Sequence, residues 1–181
     1  MNKFTRRTVI AAACAAAAMT FAPMSFAQQA PEKKDVTIAV GGKSLYYYLP
    51  LSIAEQLGYF KDEGLNVKIV DFQGGSRSLQ AVVGGSADVV SGAFEHTISM
   101  QAKKQPMTAF VLQGRAPQLA LVVSNKTMKD YKQLSDLKGK KVGVTAPGSS
   151  SQMVANFILK KGGLGPKDVA FIGVGSSRST P

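Results

Sequence analysis

The sequence predicts an α/β fold with mainly parallel strand pairing. Short apolar, β-branched runs alternate about six times with stretches of helical periodicity, and glycine stands at most of the junctions. Composition agrees. The 181 residues are 45% hydrophobic and 18% charged, the balance of an ordinary globular chain rather than a disordered one.

The first 27 residues read as an export signal. Lys3, Arg6 and Arg7 form a positive start, Val9 to Met19 a short alanine-rich apolar core, and Ser25-Phe26-Ala27 a small-residue cleavage site before Gln28. A membrane anchor would need about 20 strongly apolar residues, which this stretch lacks. Thr5-Arg6-Arg7-Thr8-Val9-Ile10 fits a twin-arginine signal as well as an ordinary secretory one, and both routes stay open. Cys14, the single cysteine, reads as a small apolar residue of the signal core rather than a lipid acceptor. Residues 28–181 therefore carry no disulfide or thiol chemistry. The formal charge of +11 falls to +8 without the signal, 19 basic side chains against 11 acidic. The lysines lie in scattered pairs without interleaved aromatics, which argues against nucleic acid as a partner.

Gln28 to Asp35 is a polar, flexible lead. Val36–Val40 reads as the first strand, broken by Gly41-Gly42. Tyr46, Leu49 or Pro50, Ile53 and Leu57 then recur at helical spacing and predict a core-facing stripe that ends at Gly58. A short amphipathic turn, Tyr59–Glu63, stops at Gly64. Val67, Ile69 and Val70 mark a strand. Gly74-Gly75-Ser76 opens a helix with Ser76 placed to cap it, and Leu79, Val82 and Val83 point inward up to Gly84-Gly85.

Val89-Val90-Ser91 reads as a buried strand, and Gly92 to His96 as the loop leading into a helix from about Thr97 to Lys103. Met107–Leu112 and the fully buried Leu119–Val123 are the next expected strands. Leu134–Leu137 is a helical turn and Lys141–Thr145 a strand. Ser149 and Gln152 match a capping box, after which Met153, Val154, Phe157, Ile158 and Lys161 trace one helical face up to Gly162-Gly163. Val169–Val174 is the last strand.

Two runs carry a family resemblance: Ala54–Val70 (AEQLGYFKDEGLNVKIV) with the following Gly74-Gly75 and Ala87–Gly92, and Asp136–Ser151 (DLKGKKVGVTAPGSSS). They resemble the substrate-binding proteins of ABC importers, in the nitrate/sulfonate/taurine and thiamine-precursor group (SsuA/THI5-like, NMT1-like). The resemblance extends over about residues 35 to 175 and is more specific for family than for ligand. It implies a periplasmic-binding-protein-like, type II fold of two lobes, divided here into residues 36–117 and 118–181. It also implies a solute held between the lobes, a hinge closure and delivery to a membrane permease. Family members have roughly twice the 154 residues that follow the signal here. The expectation is a second lobe left incomplete, with a truncated receptor as the alternative. A ligand-sensing domain of the same fold and an α/β enzyme are further alternatives.

Candidate ligand residues come from loops beyond the carboxyl ends of strands, where open α/β sheets gather their ligands. The first loop offers Gly42, Lys43, Ser44 and Tyr46, with one tyrosine of Tyr46–Tyr48 turned to the ligand. Gly75 and Ser76 form the second helix start, and Phe94, Glu95 and His96 the third loop. Pro147, Gly148, Ser149, Ser150 and Ser151 form a serine-rich helix start whose N–H groups and hydroxyls suit an anion. Ser149 serving only its own helix is the competing reading, and the resemblance favours the ligand. Arg77 and Arg115 read as surface residues.

No Walker loop, complete dinucleotide fingerprint or nucleophile elbow is present, and His96 with Glu95 cannot complete a metal site. The expectation is a monomeric, periplasmic, non-enzymatic binding protein without cofactor or metal. Its partners are a small anionic or heterocyclic solute and an ABC permease.

Overall fold

The computed structural model describes residues 31–176, so the expected export signal lies outside the described residues. Five strands form two sheets. β1 (Asp35–Val40), β2 (Asn66–Asp71) and β3 (Val89–Val90) make the first, in the order β2-β1-β3, and β4 (Lys141–Val144) pairs with β5 (Ala170–Gly173) in the second. Every pairing is parallel, as the alternation predicts.

β1 is central because its alternation serves both faces. Ile38 and Val40 pack with Tyr48 under Leu51, Phe60, Val67 and Ile69. Ala39, pointing the other way, packs with Ala81 and Ala87, so the helix α3 (Gly75–Val83) can approach closely. The second sheet buries Val142 against Leu137, Leu159, Leu164 and Val169, and Leu159 of helix α5 (Ser150–Lys161) is 0% exposed.

Between β1 and β2 the chain makes a 3-10 turn at Tyr46–Tyr48, α1 (Leu49–Gln56) and α2 (Tyr59–Asp62). The stripe expected to face the core does not. Tyr46 is 88% exposed, and Leu49, Ile53 and Leu57 are exposed with it, while Tyr48 and Leu51 point inward. Periodicity marks a face, and the turn before α1 decides which way that face looks. Val83 is likewise exposed, whereas Leu79 is buried and Val82 half-buried. On α5 the Met153–Phe157–Lys161 face is the outer one, with the Lys161 ammonium 4.9 Å from the Phe157 ring centroid. Ala155 and Leu159 are the buried residues.

The largest departure is the middle of the chain. Neither Met107–Leu112 nor Leu119–Val123 forms a strand. Phe110, Val111 and Leu112 are exposed, Phe110 at 74%. Leu121 and Val123 lean on the second core, but Val122 between them is 83% exposed, so this segment is not fully buried. Apolar β-branched residues give a strand its side-chain preference, but a strand exists only where a neighbour accepts its backbone hydrogen bonds. Val89-Val90 is half-buried and two residues long, because β1 pairs with it only through Ile38 and Ala39. The helix expected from Thr97 begins earlier, as α4 (Glu95–Ala102), which puts Glu95 and His96 in its first turn rather than in a loop. Among the described residues no helix is long and apolar enough to cross a membrane.

Candidate functional site

The carboxyl ends of β1, β2, β3 and β4 lead into four crossings that meet. The first two touch through bare backbone. A Cβ on Gly41 would lie 2.3 Å from Gly74 C and Gly75 N, so only hydrogen fits there. Gly74 holds φ +97°, a conformation that side chains rarely adopt, and a Cβ there would lie 2.9 Å from Ala146 Cβ in the fourth crossing. Gly75 faces His96 of the third, 3.2 Å from its would-be Cβ to Nε2.

The β1 crossing is fastened by side chains from elsewhere. The Asp71 carboxylate, at the end of β2, accepts from the N–H groups of Gly42 (2.7 Å) and Lys43 (2.9 Å). The Tyr48 hydroxyl accepts from Gly41 N–H at 3.1 Å. Burial pushes that phenol up to about 12, and the Gly41 bond opposes the shift. Lys43 turns its ammonium to Glu55 of α1 at 2.6 Å. Ser44 and Tyr46 are exposed.

The second and fourth crossings are joined by a chain of hydrogen bonds. Ser76 N–H donates to Ser149 Oγ (3.0 Å), Ser149 Oγ to Ser76 Oγ (3.2 Å), and Ser76 Oγ to the Pro147 carbonyl (2.9 Å). Ser76 therefore does not cap α3; Gly74 occupies the cap position, without a side-chain bond. Ser149 stands at the cap of α5 but sends its oxygen across to Ser76, so the expected capping box does not form. Gln152 Oε1 instead accepts from Gly148 N–H at 2.7 Å. Ser151 is held by Thr145, whose N–H donates to Ser151 Oγ at 3.0 Å and whose hydroxyl shares a 2.9 Å bond with it. Ser150, half-buried, begins α5.

The third crossing differs. Phe94 is exposed. His96 is 6% exposed, yet its Nε2 has no hydrogen-bond partner among the described residues, and neither has the buried Oε1 of Glu95. Burial lowers the His96 pKa and favours the neutral ring, while the Glu95 charge pulls the other way. Burial and then the same carboxylate raise the Tyr47 phenol.

Gly75, Ser76, Glu95, His96, Pro147, Gly148 and Ser149 thus lie in or beside the cluster; Tyr46 and Phe94 are exposed. Gly41, Gly74 and Asp71 were not among the expected site residues, and Tyr48 was named only as one of three tyrosines. A glycine pair after a strand is the one signal that marks the first two. Among the described residues no group of three or more His, Cys, Asp or Glu could hold a metal ion.

A family model described as NMT1/THI5 like matches residues 46–181. The chain belongs to the NMT1/THI5-like family. A solved protein from Bordetella bronchiseptica RB50 is 66% identical, with a TM-score of 0.79 over 81% of this chain and 46% of its own. The alkanesulfonate-binding protein SsuA from Xanthomonas axonopodis pv. citri, solved with MOPS, shares the fold at 21% identity and a TM-score of 0.55, covering 81% of this chain and 49% of that one. The α/β fold, built on parallel sheets, is accordingly the one that this alkanesulfonate-binding protein shares.

Among curated relatives, the 4-amino-5-hydroxymethyl-2-methylpyrimidine phosphate synthase of Schizosaccharomyces pombe is 27% identical over 77% of this chain and 39% of its own length. YtlA of Bacillus subtilis, provisionally named a binding protein, is 26% identical over 95% of this chain and 51% of its own. The chain spans about half the length, or less, of these relatives. Family membership thus covers both binding proteins and proteins named as synthases.

Proposed function

We propose that this chain is the solute-binding component of an ABC-type importer, exported to the periplasm by residues 1–27. It captures a small solute where the strand ends meet and passes it to a membrane permease. The observation that carries this reading is the meeting of four strand-to-helix crossings, drawn from both sheets, at the carboxyl ends of their strands. In open α/β folds that is where ligands gather. In this reading residues 36–117 and 118–181 belong to two lobes, and Ser76, Glu95, His96, Pro147, Gly148 and Ser149 face the solute.

Isothermal titration of the exported full chain against small sulfonates, nitrate and aminopyrimidines tests it. Saturable binding at one site without turnover is the expected result, and no heat with any of them overturns it.

The synthase relatives support a second reading, a pyrimidine-forming enzyme. Appearance of a phosphorylated pyrimidine in an incubation with the full chain would favour it over capture alone.

A further inference from the structure

Lysines that are scattered along the sequence come together in space at one end of the second sheet. β4 and β5 run parallel, with Lys141 beside Ala170, so their amino ends share one edge. Lys138, Lys140 and Lys141 stand at the approach to β4, and Lys167 at the approach to β5. The two approaches are tied together: Gly139 N–H donates to the Asp168 carbonyl at 2.7 Å, and Ala170 N–H to the Lys140 carbonyl at 2.9 Å. α5 runs back from the carboxyl end of β4, so its last turn, with Lys160 and Lys161, returns to the same edge. All six lysines are exposed. The acids nearby are engaged. Asp168 accepts from Gly165 N–H at 2.7 Å and lies 3.9 Å from Lys138, and Asp136 accepts from the N–H groups of Lys132 and Gln133. Over residues 118–176 nine lysines stand against three aspartates, whereas residues 31–117 hold nine basic side chains against eight acidic ones. The excess positive charge thus belongs to the second sheet's part of the chain. Its basic edge lies one length of the 12-residue α5 from Ser149, about 18 Å from the strand-end cluster.

We infer that this edge is a docking surface for an anionic phospholipid membrane. Residue type decides between partners. Residues 118–176 contain no arginine. Protein interfaces favour arginine and deplete lysine, and specific phosphate or base recognition relies on the planar guanidinium fork. Lysine is a compact, hydrated point charge on a flexible stem, which suits a layer of headgroups whose positions are not fixed. Clusters of about four to eight basic residues are the size that recognises acidic lipid. The outer face of α5 adds apolar contacts beside the charge, Phe157 at 63% exposure with the Lys161 ammonium over its ring, and Met153 at 45%. The inference is independent of the solute-binding reading, because it uses neither the strand-end cluster nor any solute.

The test is co-sedimentation of the exported full chain with two kinds of vesicle, at low and at high salt. One is phosphatidylcholine alone, and the other is phosphatidylglycerol and phosphatidylcholine in equal parts. Binding to the phosphatidylglycerol vesicles only, weakened by salt, is the expected result. Each lysine near an anionic surface contributes about fivefold in affinity, so Lys160→Gln with Lys161→Gln should weaken binding by about 25-fold. Lys103→Gln with Lys104→Gln removes the same charge from an exposed pair just past α4, and should weaken it by no more than about twofold. Circular dichroism melting reports whether both variants fold. Equal weakening by the two pairs overturns the inference, because attraction would then follow net charge rather than this edge. No binding to either vesicle, or equal binding to both, overturns it as well. Retention on immobilised polyglutamate without vesicle binding overturns it in favour of an acidic protein partner.

Discussion

The β2–α3 and β4–α5 crossings look alike in sequence, each a small-residue turn opening a helix after a strand, and the structure turns them toward each other. Gly74-Gly75 supplies bare backbone on one side, and Ser149 supplies the oxygen that accepts the Ser76 N–H on the other. The β3–α4 crossing has the same position relative to its strand and the opposite outcome. It buries a carboxylate oxygen and an imidazole nitrogen that find no hydrogen-bond partner among the described residues. Two helix starts spend the Ser76 N–H and two hydroxyls on one another, and the third holds two buried polar atoms without a partner among the described residues.

The sharpest way to break the paired crossings is to separate them. Gly41→Ala places a methyl carbon against the backbone of Gly74 and Gly75, which cannot give as a side-chain tip can. Loss of about 3 kcal/mol or more is expected, at the upper end of overpacking costs, and urea denaturation reads it.

Ser149→Ala removes the acceptor of the Ser76 N–H at a residue 2% exposed. It should cost about 1–2 kcal/mol in the same measurement. Ser76→Ala, which keeps its N–H and loses the two hydroxyl bonds, to the Pro147 carbonyl and from Ser149 Oγ, at a half-buried side chain, should cost less. Equal costs would mean that the hydroxyl chain, not the backbone donor, joins the crossings.

The third crossing has a pH signature. His96 is held below its ordinary pKa in the folded state, so below about pH 6.5 the unfolded chain binds the proton more readily and stability falls as pH falls. The slope is at most about 1.4 kcal/mol per pH unit for one group, and His96→Gln should flatten it just below about pH 6.5. Below that range Asp88 and Asp136 add a similar sense. Both carboxylates are held below their ordinary pKa, Asp88 first by the Lys33 hydrogen bond and Asp136 first by the Lys132 N–H, and stability they confer is lost on protonation.

The smallest effect belongs to the stripe that periodicity assigned to the core. Ile53→Gln, on the exposed side of α1, should change stability by no more than about 0.5 kcal/mol. A loss of 2 kcal/mol or more would mean that this face is covered after all.

The sequence by itself determined the parallel α/β class, the position of every described strand, and the convergence of loops at strand ends. Those features are local: apolar β-branched runs of strand length, bounded by glycines that end one element and free the next. It also pointed to Glu95, His96 and Ser149 as polar residues in such loops. Tertiary structure alone decided the rest. Met107–Leu112 and Leu119–Val123 have strand composition and no ladder, because backbone pairing needs a neighbour that composition cannot supply. Tyr46, Leu49, Ile53 and Leu57 share a helical spacing but face solvent, because spacing defines a stripe and packing chooses the side that is covered. Ser149 caps nothing on its own helix, because the Ser76 N–H, 73 residues away in sequence, offers its oxygen a better-placed donor. Oε1 of Glu95 and Nε2 of His96 lack a partner among the described residues for the same reason: satisfaction of a buried polar atom depends on what the fold brings within hydrogen-bond reach of it, and no local pattern records that.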